Sequence, residues 1–226
     1  MNSVECTDII KTYHQGKITV NALKDITLSV KAGEFAAVAG PSGSGKTTLL
    51  NIIGGLDNVD SGSITVAGHS FNKLNDSQLT ELRLKFIGFV FQAYNLIPVL
   101  SAIENVEYVM LLQGVPARER KERSMTILDD VGLKDKYNCR PAELSGGQQQ
   151  RVAVARAIVS NPLIVLADEP TANLDSETGR GLLEIMKKMN RERKVTFIFS
   201  THDNMVMDYA DRLILMKDGE IVDDRR

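Results

Sequence analysis

Short alternating apolar runs occupy both ends of the chain, and helical spacing dominates the middle. Within residues 4–39, the stretches VECTDIIKTY, ITVNALKDITLSV and EFAAVAG read as strands, separated by His14-Gln15-Gly16-Lys17 and Lys31-Ala32-Gly33. A helix should follow the glycines at 40–45, then a strand GSITVAG, a helix from about Asp76 to Lys85, and an apolar strand FIGFVF ending at Gln92. Ser101 and Glu104 form a capping-box pattern opening a helix that stops near Gly114, and Pro116 can start a second one that ends near Gly132. A third helix should open at Gly146. Strand and helix alternate again from Leu163: PLIVLAD, a helix from Ser176 to about Arg193, VTFIFST, a short helix, and RLILMKDGEIV with a hairpin turn at Lys217-Asp-Gly-Glu220. The pattern predicts an α/β fold with a mainly parallel sheet, an antiparallel β-rich N-terminus and a helical insertion. One domain is expected over 1–226, with 1–92 and 161–226 forming the α/β core and 93–160 the helical part.

Composition narrows the class only slightly. The 226 residues are 43% hydrophobic and 25% charged, with a net charge of −2, which argues against a broad nucleic-acid-binding surface. Cys6 and Cys139 stand outside any metal-ligand spacing and read as two reduced thiols. The N-terminal MNSVECTDII carries acids where an export signal would carry positive charge, and the apolar run Phe86–Phe91 is far too short to span a membrane. Any membrane-spanning part is therefore expected on another chain.

Chemistry enters at Gly40-Pro41-Ser42-Gly43-Ser44-Gly45-Lys46-Thr47, which matches the phosphate-binding pattern G-x-x-x-x-G-K-[ST] between a strand and a helix. The loop's backbone N–H groups can wrap phosphates, Lys46 can reach the β/γ oxygens, and the Thr47 hydroxyl, with Thr48 beside it, can serve Mg²⁺ and nucleotide. Leu163–Glu169 places two adjacent carboxylates at the C-terminal end of an apolar strand, where open α/β sheets bind ligands. Asp168 would serve the metal, while Glu169, on the other side of the chain, could polarise an attacking water. A second phosphate-receiving turn lies in LSGGQ, where Ser145, Gly146, Gly147 and Gln148 open a helix. It lacks a lysine and a magnesium hydroxyl, so alone it would hold a triphosphate poorly.

GPSGSGKT, Gln92, LSGGQ, IVLADEPT, Asn173-Leu-Asp175 and Thr201-His202-Asp203 follow in the order found in ATP-binding-cassette ATPases, and the resemblance covers essentially the whole chain. It implies a P-loop ATPase using ATP and Mg²⁺, in which two copies pack head to tail. The LSGGQ turn of one, through Ser145, Gly146, Gly147 and Gln148, then closes over the nucleotide of the other. It also implies that Tyr13 stacks on adenine and that Gln92 senses the γ-phosphate or the metal. His202 would contact the γ-phosphate, and Asp175 would cross the dimer interface. Lys46, Gln92, Glu169 and His202 are thus the expected catalytic set, and Thr47, Gln92 and Asp168 the expected metal set. The stretch FQAYNLIPVLSAIENVEYVMLLQGV resembles the lipoprotein-releasing, macrolide-export and cell-division-type branch. That resemblance implies an integral membrane permease as partner and a peripheral location on the cytoplasmic face of the inner membrane. A regulatory ATPase signalling through a cell-division-type permease is the alternative. A soluble member acting on DNA or ribosomes is disfavoured by the acidity and by the lack of a second cassette or long coiled coil. Composition alone favours packing of the apolar loop Tyr94–Leu100 into the helical part, whereas the same resemblance implies a permease socket there. If Tyr94 and Leu100 face its groove, changing each to Asp should release the partner.

Overall fold

The computed structural model describes residues 2–16 and 18–226; Met1 and Lys17, the last residue of the expected first turn, lie outside the described residues. In chain order, β1 (Asn2–Gln15), β2 (Ile18–Lys31) and β3 (Phe35–Ala39) lead into α1 (Lys46–Ile53), β4 (Ser61–Val66) and β5 (His69–Ser70). Next come α2 (Asp76–Phe86), β6 (Ile87–Val90), α3 (Ala102–Leu112), α4 (Ala117–Asp130) and α5 (Gly146–Ile158). The chain closes with β7 (Ile164–Asp168), α6 (Ser176–Arg193), β8 (Thr196–Thr201), α7 (Asn204–Tyr209), β9 (Arg212–Lys217) and β10 (Glu220–Arg225).

Two sheets result. The antiparallel one runs β2-β1-β4-β5 and the larger runs β10-β9-β3-β8-β7-β6. Within the larger sheet every pairing is parallel except β9–β10. That hairpin turns at Asp218 and Gly219, both with positive φ (51° and 85°), the twist a two-residue connection needs. All five residues of β3 are buried, so the strand reads as a continuous apolar run rather than an alternating one.

Period-2 geometry divides the core across the larger sheet. Ala36, Val38, Ile164, Leu166 and Ile198 face α1 and the antiparallel sheet. Phe35, Val165, Ala167, Phe197 and Phe199 face α6 and the helical insertion, which packs through Val106, Ile127, Leu128 and Val154. Cys6 points into the first of these cores, where burial pushes its thiol up to about 12, and Cys139 is half-buried; both are free thiols.

The expected helix caps are present. Ser101 and Glu104 cap α3 reciprocally, and Pro116 stands at the N-cap of α4. The run FIGFVF divides differently from expectation: Phe86 closes α2, only Ile87–Val90 pair as β6, and Phe91 has left the sheet. Six successive apolar residues report burial, and burial is common to a helix end, a strand and a packed loop.

Candidate nucleotide site

The loop 40–45 joins β3 to α1, and its shape depends on glycine. A Cβ on Gly40 would lie 2.1 Å from the Met216 carbonyl oxygen, and one on Gly45 2.5 Å from that of Ala22. The loop therefore rests directly on the backbone of β9 and of the β1–β2 hairpin. Gly45 takes a left-handed conformation at the N-cap of α1 without a side-chain cap, and the first turn holds no acid. Its orphan N–H groups and the helix dipole thus favour an anion. Lys46 is buried, and its Nζ donates to the carbonyl oxygens of Gly40 (2.8 Å) and Pro41 (2.9 Å). Both partners are neutral, so a phosphate can outcompete them for the ammonium.

Strand register brings the carboxylates to this loop. Asp168 ends β7, and its Oδ1 accepts from the Thr47 hydroxyl at 3.0 Å and from the Ser200 hydroxyl. Glu169 follows just beyond the strand. Its φ is +47°, a conformation costing a non-glycine residue about 1–3 kcal/mol. Its N–H donates to the Ser200 carbonyl at 3.1 Å, and its Oε1 lies 2.9 Å from His202 Nδ1. Tyr13, residues 41–48, Gln92, Glu169 and His202 line one cavity of about 690 Å³, together with Val20, Asn21 and Ala22.

The LSGGQ turn is not in that cavity. Ser145 N-caps α5, its Oγ accepting from the Gln148 N–H at 3.3 Å while Gln148 Oε1 accepts from the Ser145 N–H at 3.0 Å. Among the described residues no side chain accepts from the N–H groups of Gly146 and Gly147, which leaves two helix-terminal donors for a ligand. Gly147 sits against α6, where a Cβ would fall 2.3 Å from Thr178 Cγ2.

A family model described as "ABC transporter" matches residues 23–172. The chain belongs to the ATPases of ABC transporters. This cassette is 46% identical over 221 residues to the macrolide export ATP-binding/permease protein MacB of Brucella melitensis, covering 98% of this chain and 34% of that protein's length. It is 40% identical over 223 residues to the lipoprotein-releasing system ATP-binding protein LolD of Legionella pneumophila, covering 98% of both. Its structure matches the dimeric post-hydrolysis cassette MJ0796 of Methanocaldococcus jannaschii, bound to ADP and Pi, with a TM-score of 0.92. The two are 44% identical over 99% of this chain and 98% of that one.

The cassette's glutamine segment is tied down from two sides. Gln150, fully buried in α5, donates to the carbonyl oxygens of Phe91 (3.4 Å) and Pro170 (2.8 Å). Asn173 donates to Gln92 O at 2.9 Å, and Arg156 to Tyr94 O (2.9 Å) and Asn95 O (2.6 Å). The main chain around Gln92 is therefore clamped to the helix that carries the LSGGQ turn. Asp175 caps α6, accepting from the Glu177 and Thr178 N–H groups, and the Thr178 hydroxyl and amide hold its carboxyl below the usual range.

The segment expected to form the socket is partly anchored. The Tyr94 hydroxyl oxygen lies 2.8 Å from where a Cβ of Gly146 would stand. Leu96 packs into the helical core, and buried Asn105 pins the segment through the Ile97 N–H and the carbonyls of Ile97, Leu100 and Ser101. An apolar groove of about 350 Å³ does lie next to this segment, lined by Leu56, Leu84, Phe89, Phe91, Val109 and Ala157 among others, but by neither Tyr94 nor Leu100. Sequence reasoning also missed Ser200, whose only signal is its register opposite Asp168 across β7–β8.

Proposed function

We propose that this ABC ATPase binds ATP with Mg²⁺ at the 40–48 loop, hydrolyses it within a head-to-tail homodimer, and drives a membrane permease of the lipoprotein-release or macrolide-export type. The observation that carries the dimer is the separation of two incomplete phosphate sites on one chain. The LSGGQ turn does not line the cavity holding Lys46, and among the described residues the amides of Gly146 and Gly147 find no side-chain acceptor. A second copy supplies what each site lacks, and twofold symmetry does so twice.

The residues fit a magnesium ion. A hydroxyl and a carboxylate, both hard oxygen donors, meet at 3.0 Å beside the phosphate loop, and Mg²⁺ takes few protein ligands and fills its shell with phosphate and water. Thr47 and Asp168 would hold it, with Gln92 at the cavity wall, and it would neutralise phosphate charge. Tyr13 offers a ring for the base. The amides of 41–48 and Lys46 grip the phosphates, Glu169 accepts a proton from the attacking water, and His202 fixes Glu169 and reaches the γ-phosphate. Ser145, Gly146, Gly147 and Gln148 cap the partner's nucleotide. Residues 93–160 act as a helical unit that moves with the LSGGQ turn and with Gln92, to which it is bonded. A peripheral position on the cytoplasmic face of the membrane follows from coupling to a permease. Exporter-type coupling is favoured over signalling alone because the aligned relatives include macrolide-export and lipoprotein-releasing proteins.

The groove lined by Leu56 and Val109 is the seat for a permease helix, since apolar grooves take amphipathic helices. Leu56 is 47% exposed, so Leu56→Asp should leave folding and ATP binding intact. In the complex it buries an unpaired carboxylate at a cost of several kcal/mol, and co-purification of the permease from membranes should be lost. Undiminished capture by the folded variant rules the groove out.

A further inference from the structure

Tyr13 lies opposite Val20 near the end of the β1–β2 hairpin and is 38% exposed, and an aromatic side chain so placed would ordinarily sample several rotamers. Tyr13 is instead held at two points. Its hydroxyl donates to Asp57 Oδ2 at 2.5 Å, and the Lys11 ammonium lies 5.1 Å from its ring centroid. Lys11 is itself 8% exposed, donating to Asp57 Oδ1 at 2.8 Å and to Asn58 O at 2.7 Å. Asp60 flanks the pair at 3.9 Å from Lys11 Nζ, and its other oxygen accepts from the Thr12 N–H at 2.6 Å.

Asp57 stands just beyond α1, the helix that begins at Lys46, and its N–H donates back to Asn51 O of that helix. The carboxylate therefore links the tyrosine to the same helix that presents the phosphate loop. A clamp serving stability alone would need only the Lys11–Asp57 ion pair. Here the second carboxylate oxygen is spent on the phenol, and Tyr13 lines the nucleotide cavity.

We propose that Asp57, fixed by Lys11, is a positioning residue that sets the Tyr13 ring in place for the nucleotide base at a defined distance from the phosphate loop. Burial and the Asp57 bond together push the Tyr13 phenol above its usual range, keeping it protonated as the donor. Burial opposes ionisation of Asp57, but the hydrogen bonds from Lys11, Tyr13 and the Asn58 amide outweigh it and hold the carboxyl below the usual range. Donor and acceptor thus keep complementary protonation states around neutral pH.

The proposal rests on the reading that Tyr13 receives the base, and calorimetric titration of the full chain separates the two. Tyr13→Phe keeps the ring and deletes the hydroxyl; Asp57→Asn keeps the shape and weakens both contacts. Each should raise the Kd for ATP about 2- to 12-fold, the cost of ordering one freed side chain on binding. The double variant should be no worse than the weaker-binding single one, because both remove one interaction. Inorganic tripolyphosphate, which has no base, should bind all of them as it binds the unaltered protein. Equal weakening of tripolyphosphate, multiplying effects in the double variant, or an unaffected Tyr13→Phe overturns the positioning role. Tyr13→Ala tests the underlying reading: weakened ATP binding there with an unaffected Tyr13→Phe leaves the stacking role standing and removes only Asp57's part. Unchanged ATP binding in Tyr13→Ala removes both.

Discussion

Glu169→Gln is expected to bind ATP with nearly unaltered affinity and to lose 10²–10⁴-fold in kcat, roughly the span of general-base catalysis. The amide keeps the side chain's shape and can still hydrogen-bond His202, now 2.9 Å from the carboxylate. It leaves untouched the backbone contact to Ser200 that holds residue 169 in its left-handed conformation, and it leaves the Thr47–Asp168 pair intact. What disappears is the basicity of Oε1. It also removes one negative charge from a surface that must receive a triphosphate, so the ATP-bound dimer should persist long enough to elute as such in gel filtration. Phosphate release in the steady state is the decisive measurement. Near-normal turnover would refute the role given to Glu169.

Mixing two inactive variants should restore activity. Ser145→Arg places bulk and charge in the LSGGQ turn, and Lys46→Ala removes the ammonium now parked on Gly40 O and Pro41 O. Each homodimer then has two damaged sites. In a head-to-tail mixed dimer one site combines the intact phosphate loop of the first variant with the intact turn of the second, and the other site carries both lesions. Random pairing makes half the dimers mixed with one sound site each, so turnover should reach about a quarter of the unaltered level. If the two sites fire only together, turnover stays low, but ATP still retains the mixed dimer on gel filtration when the subunits carry different tags. Absence of both signals counts against the trans arrangement.

How much of this was legible beforehand depended on the reach of each interaction. The phosphate loop, the capped helices at Ser101 and Ser145, and the Asp218-Gly219 turn are local: a few adjacent residues specify backbone shape, and glycine or a capping hydroxyl marks it. The family order of motifs then linked these pieces. Ser200 escaped because its meaning lies in register with Asp168, a relation between two strands far apart in sequence. Asp57 escaped for the same reason: it lies in the loop after α1, and its partners Lys11 and Tyr13 lie on β1, more than 40 residues earlier. Tyr94–Leu100 was legible only as an apolar segment, because composition does not tell which of its residues are held and which stay exposed. Asn105 ties down the backbone at Ile97 and Leu100 while Val99 remains 72% exposed, and only the assembled fold shows it.

The position of β3 bears on how the chain is made. This wholly apolar strand, which leads into the phosphate loop, is flanked in the sheet by β8 and β9, both synthesised more than 150 residues later. Translation at about 5–20 residues per second separates Ala39 from Thr196 by roughly 8 to 30 s. Throughout that interval FAAVA has neither neighbour, and Gly40 lacks the Met216 carbonyl against which it is moulded. The cradle is thus encoded early and completed late. A ribosome-bound chain therefore carries an unpaired apolar segment for that interval, and the phosphate loop takes its final shape only once β9 has emerged.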